Sequence, residues 1–183
     1  SLANAPRADK LVELHIRQVP DGAMSRYWFE QAKPNDLLRL RGPLGTFFLR
    51  GQPGKDLVFL ATGTGIAPVK AILEGMETLS ASEQPRSVTV YWVGRYAKDL
   101  YWQPATDAQF RFVPVLSRAE PSWAGERSHV QRVLLARRPD LVNTVVYACG
   151  SDAMIHDAQA ALTAAGLPQR QFHSDAFVCS AAT

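Results

Sequence analysis

The sequence predicts an α/β fold, a parallel doubly wound sheet preceded by a stretch of antiparallel β character. Three observations carry that reading. After residue 54, short apolar runs alternate with helix-period stretches, the rhythm of strand, crossover helix, strand. The run Leu57-Val58-Phe59-Leu60-Ala61 passes straight into Thr62-Gly63-Thr64-Gly65, and Pro68 stands where the next helix opens. Before residue 50 the alternation is residue by residue: Val12, Leu14 and Ile16 fall on one face, Glu13, His15 and Arg17 on the other.

Taken in order, residues 11–19 read as a half-exposed antiparallel strand. Asp21-Gly22 turns the chain, and Ser25 can cap a short helix over 26–32. Pro34-Asn35-Asp36 leads into a second strand at 37–41, and Gly42-Pro43-Leu44-Gly45 into a third at 46–50. Gly51-Gln52-Pro53-Gly54 is the best linker, dividing the chain into regions 1–52 and 55–183. Beyond it, strands are expected at 57–61, 87–93, 110–116 and 144–149, with a short last one near 170–174. Helices are expected at 68–79, 97–102, 129–137 and 152–165, the last with Ser151 as cap and Gly166 just past its end. Five parallel strands in the order 3-2-1-4-5 accommodate this pattern. Ligands of such a sheet sit at the carboxyl ends of its strands. Those ends carry Thr62-Gly63-Thr64-Gly65, Gly94-Arg95, Ser117-Arg118 and Cys149-Gly150-Ser151.

Composition narrows the function. The 183 residues are 46% hydrophobic, enough for one good core or two small ones. No apolar run approaches the roughly 18 residues that cross a bilayer, so no membrane partner is expected. Twenty basic and 17 acidic residues give a charge of +3 without long runs, which is no argument for nucleic acid. The two cysteines, Cys149 and Cys179, are too few for a disulfide framework or a four-thiolate cluster; a reducing cytoplasm suits them. No metal site is expected, since His15 has no ligand partner at useful spacing.

A strand, a glycine turn and a helix N-terminus present free N–H groups and a positive dipole end to an anion such as a pyrophosphate. An ordinary βα turn would use its glycines for geometry alone. Gly63-x-Gly65-x-x-Pro68 puts proline where the usual dinucleotide fingerprint has its third glycine. The next strand ends in Gly94-Arg95 instead of an acidic ribose anchor, which disfavours a Rossmann dehydrogenase of that type. Ser117-Arg118 can hold an adenosine phosphate or be a solvated loop pair. Cys149 is either a buried structural thiol or a group facing the same cleft as the glycine turn. Gly22-Ala23-Met24-Ser25 is a plain turn and cap, or a phosphate cradle. Met24, Met76 and Met154 read most simply as packing, and the four tryptophans are scattered along the chain.

Taken together, these pieces resemble the ferredoxin–NADP reductase superfamily over essentially the whole chain. Ser1-Leu2-Ala3-Asn4 looks like the tail of the flavin motif Arg-x-Tyr-Ser. Leu14-His15-Ile16-Arg17 and Gly22-Ala23-Met24-Ser25 resemble the strand and turn holding the flavin ribityl chain and pyrophosphate. Arg41-Gly42-Pro43-Leu44-Gly45 is similar to the segment closing the flavin barrel. Gly63-Thr64-Gly65-Ile66-Ala67-Pro68 resembles the family's pyridine-nucleotide motif, where proline is the normal ending. Tyr91-Trp92-Val93-Gly94-Arg95, Asp99-Leu100-Tyr101, Val115-Leu116-Ser117-Arg118, Trp123-x-Gly125 and Ala148-Cys149-Gly150-x-x-x-Met154 follow in family order. The ending Phe172-His173-Ser174-Asp175-Ala176-Phe177 resembles that of the NAD(P)H–flavin reductases and the CDP-6-deoxy-Δ-3,4-glucoseen reductases; Cys149-Gly150 favours the second group.

The resemblance implies a flavin-binding barrel portion ahead of an NAD(P)-binding domain. It also implies hydride transfer from NAD(P)H to FAD, then single electrons to an iron–sulfur centre and a partner protein, a dehydrase or a ferredoxin-type domain. By the same resemblance the 2Fe–2S cluster belongs to the parent protein, and the pathway is 3,6-dideoxyhexose synthesis for lipopolysaccharide. Ser1, Cys149 and Asp175 are the implied catalytic-site residues. Ser1, His15, Ile16, Arg17, Gly22, Ala23, Met24, Ser25 and Phe177 would meet FAD. Thr62, Gly63, Thr64, Gly65, Pro68, Gly94, Arg95, Ser117, Arg118, Cys149, Gly150 and Met154 would meet NAD(P). The alternatives are a free-flavin reductase, an oxygenase reductase component, or a nucleotide-binding electron-transfer subunit without turnover of its own. The start at Ser1 leads to the expectation that the chain is a piece of a longer protein, holding no tight FAD and oxidising no NADH by itself.

Overall fold

The computed structural model describes residues 2–42 and 44–177. Ser1, Pro43 and Cys179 therefore lie outside the described residues. Six parallel strands, β1 (Asp56–Thr62), β2 (Ser87–Gly94), β3 (Phe110–Leu116), β4 (Glu126–Arg127), β5 (Thr144–Gly150) and β6 (Phe172–Ala176), form one sheet in the order β4-β3-β2-β1-β5-β6. With β4 set aside, this is the expected order; the correction is a sixth strand at the edge. β4 pairs only Glu126 with Val115 and Arg127 with Leu116, and two residues leave no readable periodicity.

The central strand β1 buries all five residues of Leu57 to Ala61, which is why it reads as an uninterrupted apolar run. Leu57, Phe59 and Ala61 face a core shared with Trp92, Tyr147 and helix α2 (Ile66–Met76). Val58 and Leu60 face the other core, under α3 (Val130–Ala136) and α4 (Asp152–Ala164). Helix α4 begins after Ser151 with Asp152 in its first turn, a charge matched to the positive dipole end. It stops at Gly166, whose φ of +109° a side chain rarely adopts.

Two expected helices differ. Instead of 68–79, α2 starts two residues early, so Pro68 lies in its first turn, where a missing N–H is still tolerated. Instead of a helix at 97–102 there is one 3₁₀ turn at Ala97–Asp99, because the Asp99 carboxylate accepts from the N–H groups of Arg95 and Tyr96 and closes the turn. Leu100 and Trp102 then pack against the α2-side core.

The N-terminal region departs most. The strands expected at 11–19, 37–41 and 46–50 are not formed; among the described residues a single antiparallel bridge joins Leu2 to Leu14. A strand without a neighbour has no ladder to complete, and among the described residues that one bridge is all the strand pairing these segments have. Leu37 is 99% exposed and Leu44 76%. The short helix is α1 (Ala23–Arg26), extended by a π-type turn over Tyr27–Gln31. Gly22, not Ser25, occupies the capping position; Ser25 is buried and its Oγ accepts from the Val19 N–H at 2.8 Å.

Candidate functional site

Strand order reverses between β1 and β5, the point where an open parallel sheet leaves a crevice beyond its carboxyl ends. The turns leaving these two strands are locked together. A Cβ on Gly65 would stand 2.3 Å from the Cys149 carbonyl oxygen, and one on Gly150 would stand 2.3 Å from Thr62 Oγ1. Thr62 Oγ1 accepts a 2.7 Å hydrogen bond from the Ser151 N–H, so the Thr62 side chain is spent on the seam. Gly63, at φ +51°, has open space where a side chain would stand, leaving the backbone accessible beside the start of α2. The Gly63 carbonyl accepts from Trp92 Nε1 at 2.9 Å, which fixes the turn from β2.

Cys149 is fully buried and lies beside Asp175 in the β5–β6 register. Burial, and then the Asp175 carboxylate, push the thiol well above its ordinary range. It is a neutral thiol, suited to packing and weak hydrogen bonding and unsuited to nucleophilic attack. Phe177 is tied in by its N–H, which donates to the Gly150 carbonyl at 2.7 Å. Met154 packs against the core under α3 and α4.

The next two strand ends are laced side by side. The Ser117 N–H donates to Gly94 O and the Arg118 N–H to Arg95 O, both at 3.0 Å, while both arginines are exposed. Alongside lies a cavity of about 410 Å³ lined by Tyr96, Lys98, Leu116, Glu120 and Trp123 among others. Tyr96, Lys98 and Glu120 were not picked out from the sequence; their only signal was that they follow strand ends. Trp123 lies against Gly125, where a Cβ would stand 2.7 Å from the indole, and donates from Nε1 to Glu126 O. That accounts physically for the Trp-x-Gly spacing.

On the N-terminal side the structure gathers Gly22, Ala23, Met24 and Ser25 at α1. After the bridge at Leu14, no backbone hydrogen bond engages His15, Ile16 or Arg17 among the described residues. Their open donors and acceptors, with half-exposed Ile16 and exposed Met24 near by in sequence, fit a ligand having both polar and planar apolar parts. The His15 side chain points elsewhere, to Glu13 and Tyr101. No group of three or more metal-ligating side chains occurs among the described residues, and no helix is long and apolar enough to cross a membrane.

Residues 59–160 match the oxidoreductase NAD-binding domain family, and residues 1–49 match the oxidoreductase FAD-binding domain. The chain belongs to the NAD-binding oxidoreductase family. It carries FAD- and NAD-binding regions in the order that the motifs led us to expect. It is 40% identical to the CDP-6-deoxy-L-threo-D-glycero-4-hexulose-3-dehydrase reductase of Yersinia pestis, over 98% of this chain and 55% of that protein. It is 32% identical to reductase component 2 of a terephthalate 1,2-dioxygenase from Comamonas, over 97% of this chain and 54% of the other. A ferredoxin reductase of carbazole 1,9a-dioxygenase shares the fold, with a TM-score of 0.79 at 23% identity over 97% of this chain and 54% of that one. The chain thus spans about half the length of the curated relatives it matches.

Proposed function

We propose that this NAD-binding oxidoreductase chain is the nucleotide-reducing part of a flavin-dependent NAD(P)H reductase that passes electrons to a partner protein. The interlocked turns at β1 and β5 carry the reading, because they leave backbone N–H groups and little side-chain bulk where a pyrophosphate would lie. Residues 1–52 form the flavin-side portion and 55–183 the nucleotide domain. A flavin held there would supply the chemistry of accepting a hydride from the nicotinamide and releasing electrons singly.

The chain's residues position and screen. Thr62 to Gly65, with Pro68 behind them in α2, seat the pyrophosphate. Gly94-Arg95 and Ser117-Arg118, beside the cavity under Tyr96 and Trp123, take the adenosine end. Cys149 and Gly150 border the nicotinamide, with the neutral thiol as a soft wall, and Asp175 and Phe177 close that side. His15 to Arg17, through their backbone, and Gly22 to Ser25 serve the flavin. Ser1, proposed to lie near the reacting flavin atom, is outside the described residues. A buried free thiol suits a cytoplasmic setting.

The 40% identity to a CDP-hexulose dehydrase reductase supports a dehydrase as partner and a place in dideoxysugar formation. The 32% identity to a dioxygenase reductase component supports the second reading, an oxygenase partner. Anaerobic addition of NADH to the FAD-loaded full-length protein, of which this chain would be a part, tests the shared core of both: the flavin band should bleach. Cys149→Ala should slow that bleaching while nucleotide affinity changes little, the mark of an interaction made mainly in the transition state. Nucleotide binding with no bleaching at all would overturn the reading in favour of a binding subunit.

A further inference from the structure

The segment that starts the chain meets the nucleotide domain through its polar face. Val12 is 50% exposed and Ile16 37%, whereas the intervening Glu13 and His15 reach across to other elements. Burial of apolar surface alone would select the opposite face. The contacts that replace it form a closed circuit. From α2, Lys70 Nζ donates to Glu13 Oε2 at 2.8 Å, to Glu74 Oε1 at 2.6 Å and to the Ala3 carbonyl at 3.0 Å. Glu74 Oε2 in turn accepts from the Ala5 N–H at 3.0 Å. Glu13 Oε1 lies 2.9 Å from His15 Nε2, and His15 Nδ1 lies 3.0 Å from the Tyr101 hydroxyl. The Tyr101 ring stands edge-on to Trp92, with centroids 5.0 Å apart, and Trp92 Nε1 returns the circuit to the Gly63 carbonyl. Gly63 leads directly into α2, the helix that carries Lys70.

We infer that His15 and Tyr101 are positioning residues, a directional clasp that sets the 13–17 segment against the Gly63 turn and so sets flavin against nicotinamide; this rests on the reductase reading above.

Directionality is what distinguishes the clasp from simple adhesion. Burial, and then Glu13, push the Tyr101 phenol up to about 12, so its O–H is retained and can donate to His15 Nδ1. Nε2 then faces the Glu13 carboxylate, so each ring nitrogen has its own partner and the ring one orientation. Apolar faces can slide over one another; a ring with both nitrogens engaged cannot turn without losing a hydrogen bond. The Trp92 end is equally fixed, because its indole is fully buried and spends its only donor on the turn.

Tyr101→Phe removes the hydroxyl and leaves the ring on Trp92. Amide hydrogen exchange in the protein without flavin should then quicken about two- to tenfold at Ala3 and Glu13, the range of one net hydrogen bond, with amides of β1 and β5 unchanged. In the FAD-loaded full-length protein the same variant should slow hydride transfer from NADH without weakening NADH binding. His15→Ala should act likewise, and His15→Gln, which keeps a donor and an acceptor, should recover part of the loss. Exchange that rises equally everywhere, or not at all, would overturn the clasp. Local quickening with an unchanged hydride-transfer rate would overturn its positioning role. If the unaltered full-length protein, loaded with FAD, fails to reduce flavin, the reductase reading falls, an outcome visible before any variant is made.

Discussion

The two ends of this chain fold by different means. The nucleotide region, from Asp56 onward, satisfies itself: every strand has a hydrogen-bonded neighbour and both faces of the sheet are covered. The segment before it has, among the described residues, one bridge, a short helix with its π-type turn and a row of exposed leucines at 37, 38, 40 and 44. It holds to the rest mainly through Lys70, Glu13, Glu74, His15 and Tyr101, together with Phe47 and Leu49 against the α2-side core. The difference teaches where changes will be felt. In the first region backbone contacts are close enough for one methyl group to matter; in the second most side chains can change freely.

The sharpest way to break that contrast is a pair of glycine substitutions. Gly65→Ala pushes a methyl group into the Cys149 carbonyl and should destabilise the fold by about 3 kcal/mol, read as a lowered urea midpoint. Gly51→Ala, in open space, should change the midpoint by less than about 0.5 kcal/mol. Equal effects would show that the seam between β1 and β5 is not the tight point.

Next in size is Arg118→Ala, which should weaken NADPH by about 1.5–3 kcal/mol, the range of a charge-assisted hydrogen bond, and leave NADH unchanged. Calorimetry with both nucleotides decides it, and equal small losses would make Arg118 a solvated loop residue. Thr62→Val keeps the shape but removes the acceptor for the Ser151 N–H, and should lower stability by about 1 kcal/mol.

The smallest effect belongs to the N-terminal contacts. Hydrogen bonds from Lys70 and then His15 hold Glu13 below its ordinary range. Burial pulls Glu74 upward, but Lys70 and the Ala5 N–H outweigh it, so its range is lowered too. Carboxylates lowered by folding stabilise at pH above their unfolded range, near 4.5, and that stabilisation fades as pH falls through the folded values. Glu13 is largely solvated, so the change should stay below about 1 kcal/mol. Acid should therefore loosen residues 3–15 before the sheet, seen as amide exchange or proteolysis confined to that segment. Simultaneous loss of both regions would contradict the contrast.

The same contrast decides what could be read in the sequence. β1 and β5 were legible because strands buried on both faces become uninterrupted apolar runs, and α4 because Ser151 and Gly166 mark its ends. The strand-end sites followed from topology, since a parallel sheet brings Thr62, Gly94, Ser117 and Gly150 to one edge. Residues 11–19 alternate as a strand should, yet alternation cannot tell which face will be covered, and here Glu13 and His15 make the cross-region contacts. The partners of those two, Lys70 and Tyr101, lie 57 and 86 residues away, beyond any local pattern. The helix expected at 97–102 gave way to the Asp99 side chain, which offers backbone N–H groups an alternative partner. β4 depends wholly on its place beside β3.

The most direct test of the central claim is an NMR titration of the chain with NADH and NADPH, following backbone amides. The account predicts saturable shifts concentrated at Thr62–Ala67, Gly94–Arg95, Ser117–Arg118 and Gly150–Ser151, with little change at 33–42. Shifts confined to other surfaces, or no saturable response to either nucleotide, would contradict it.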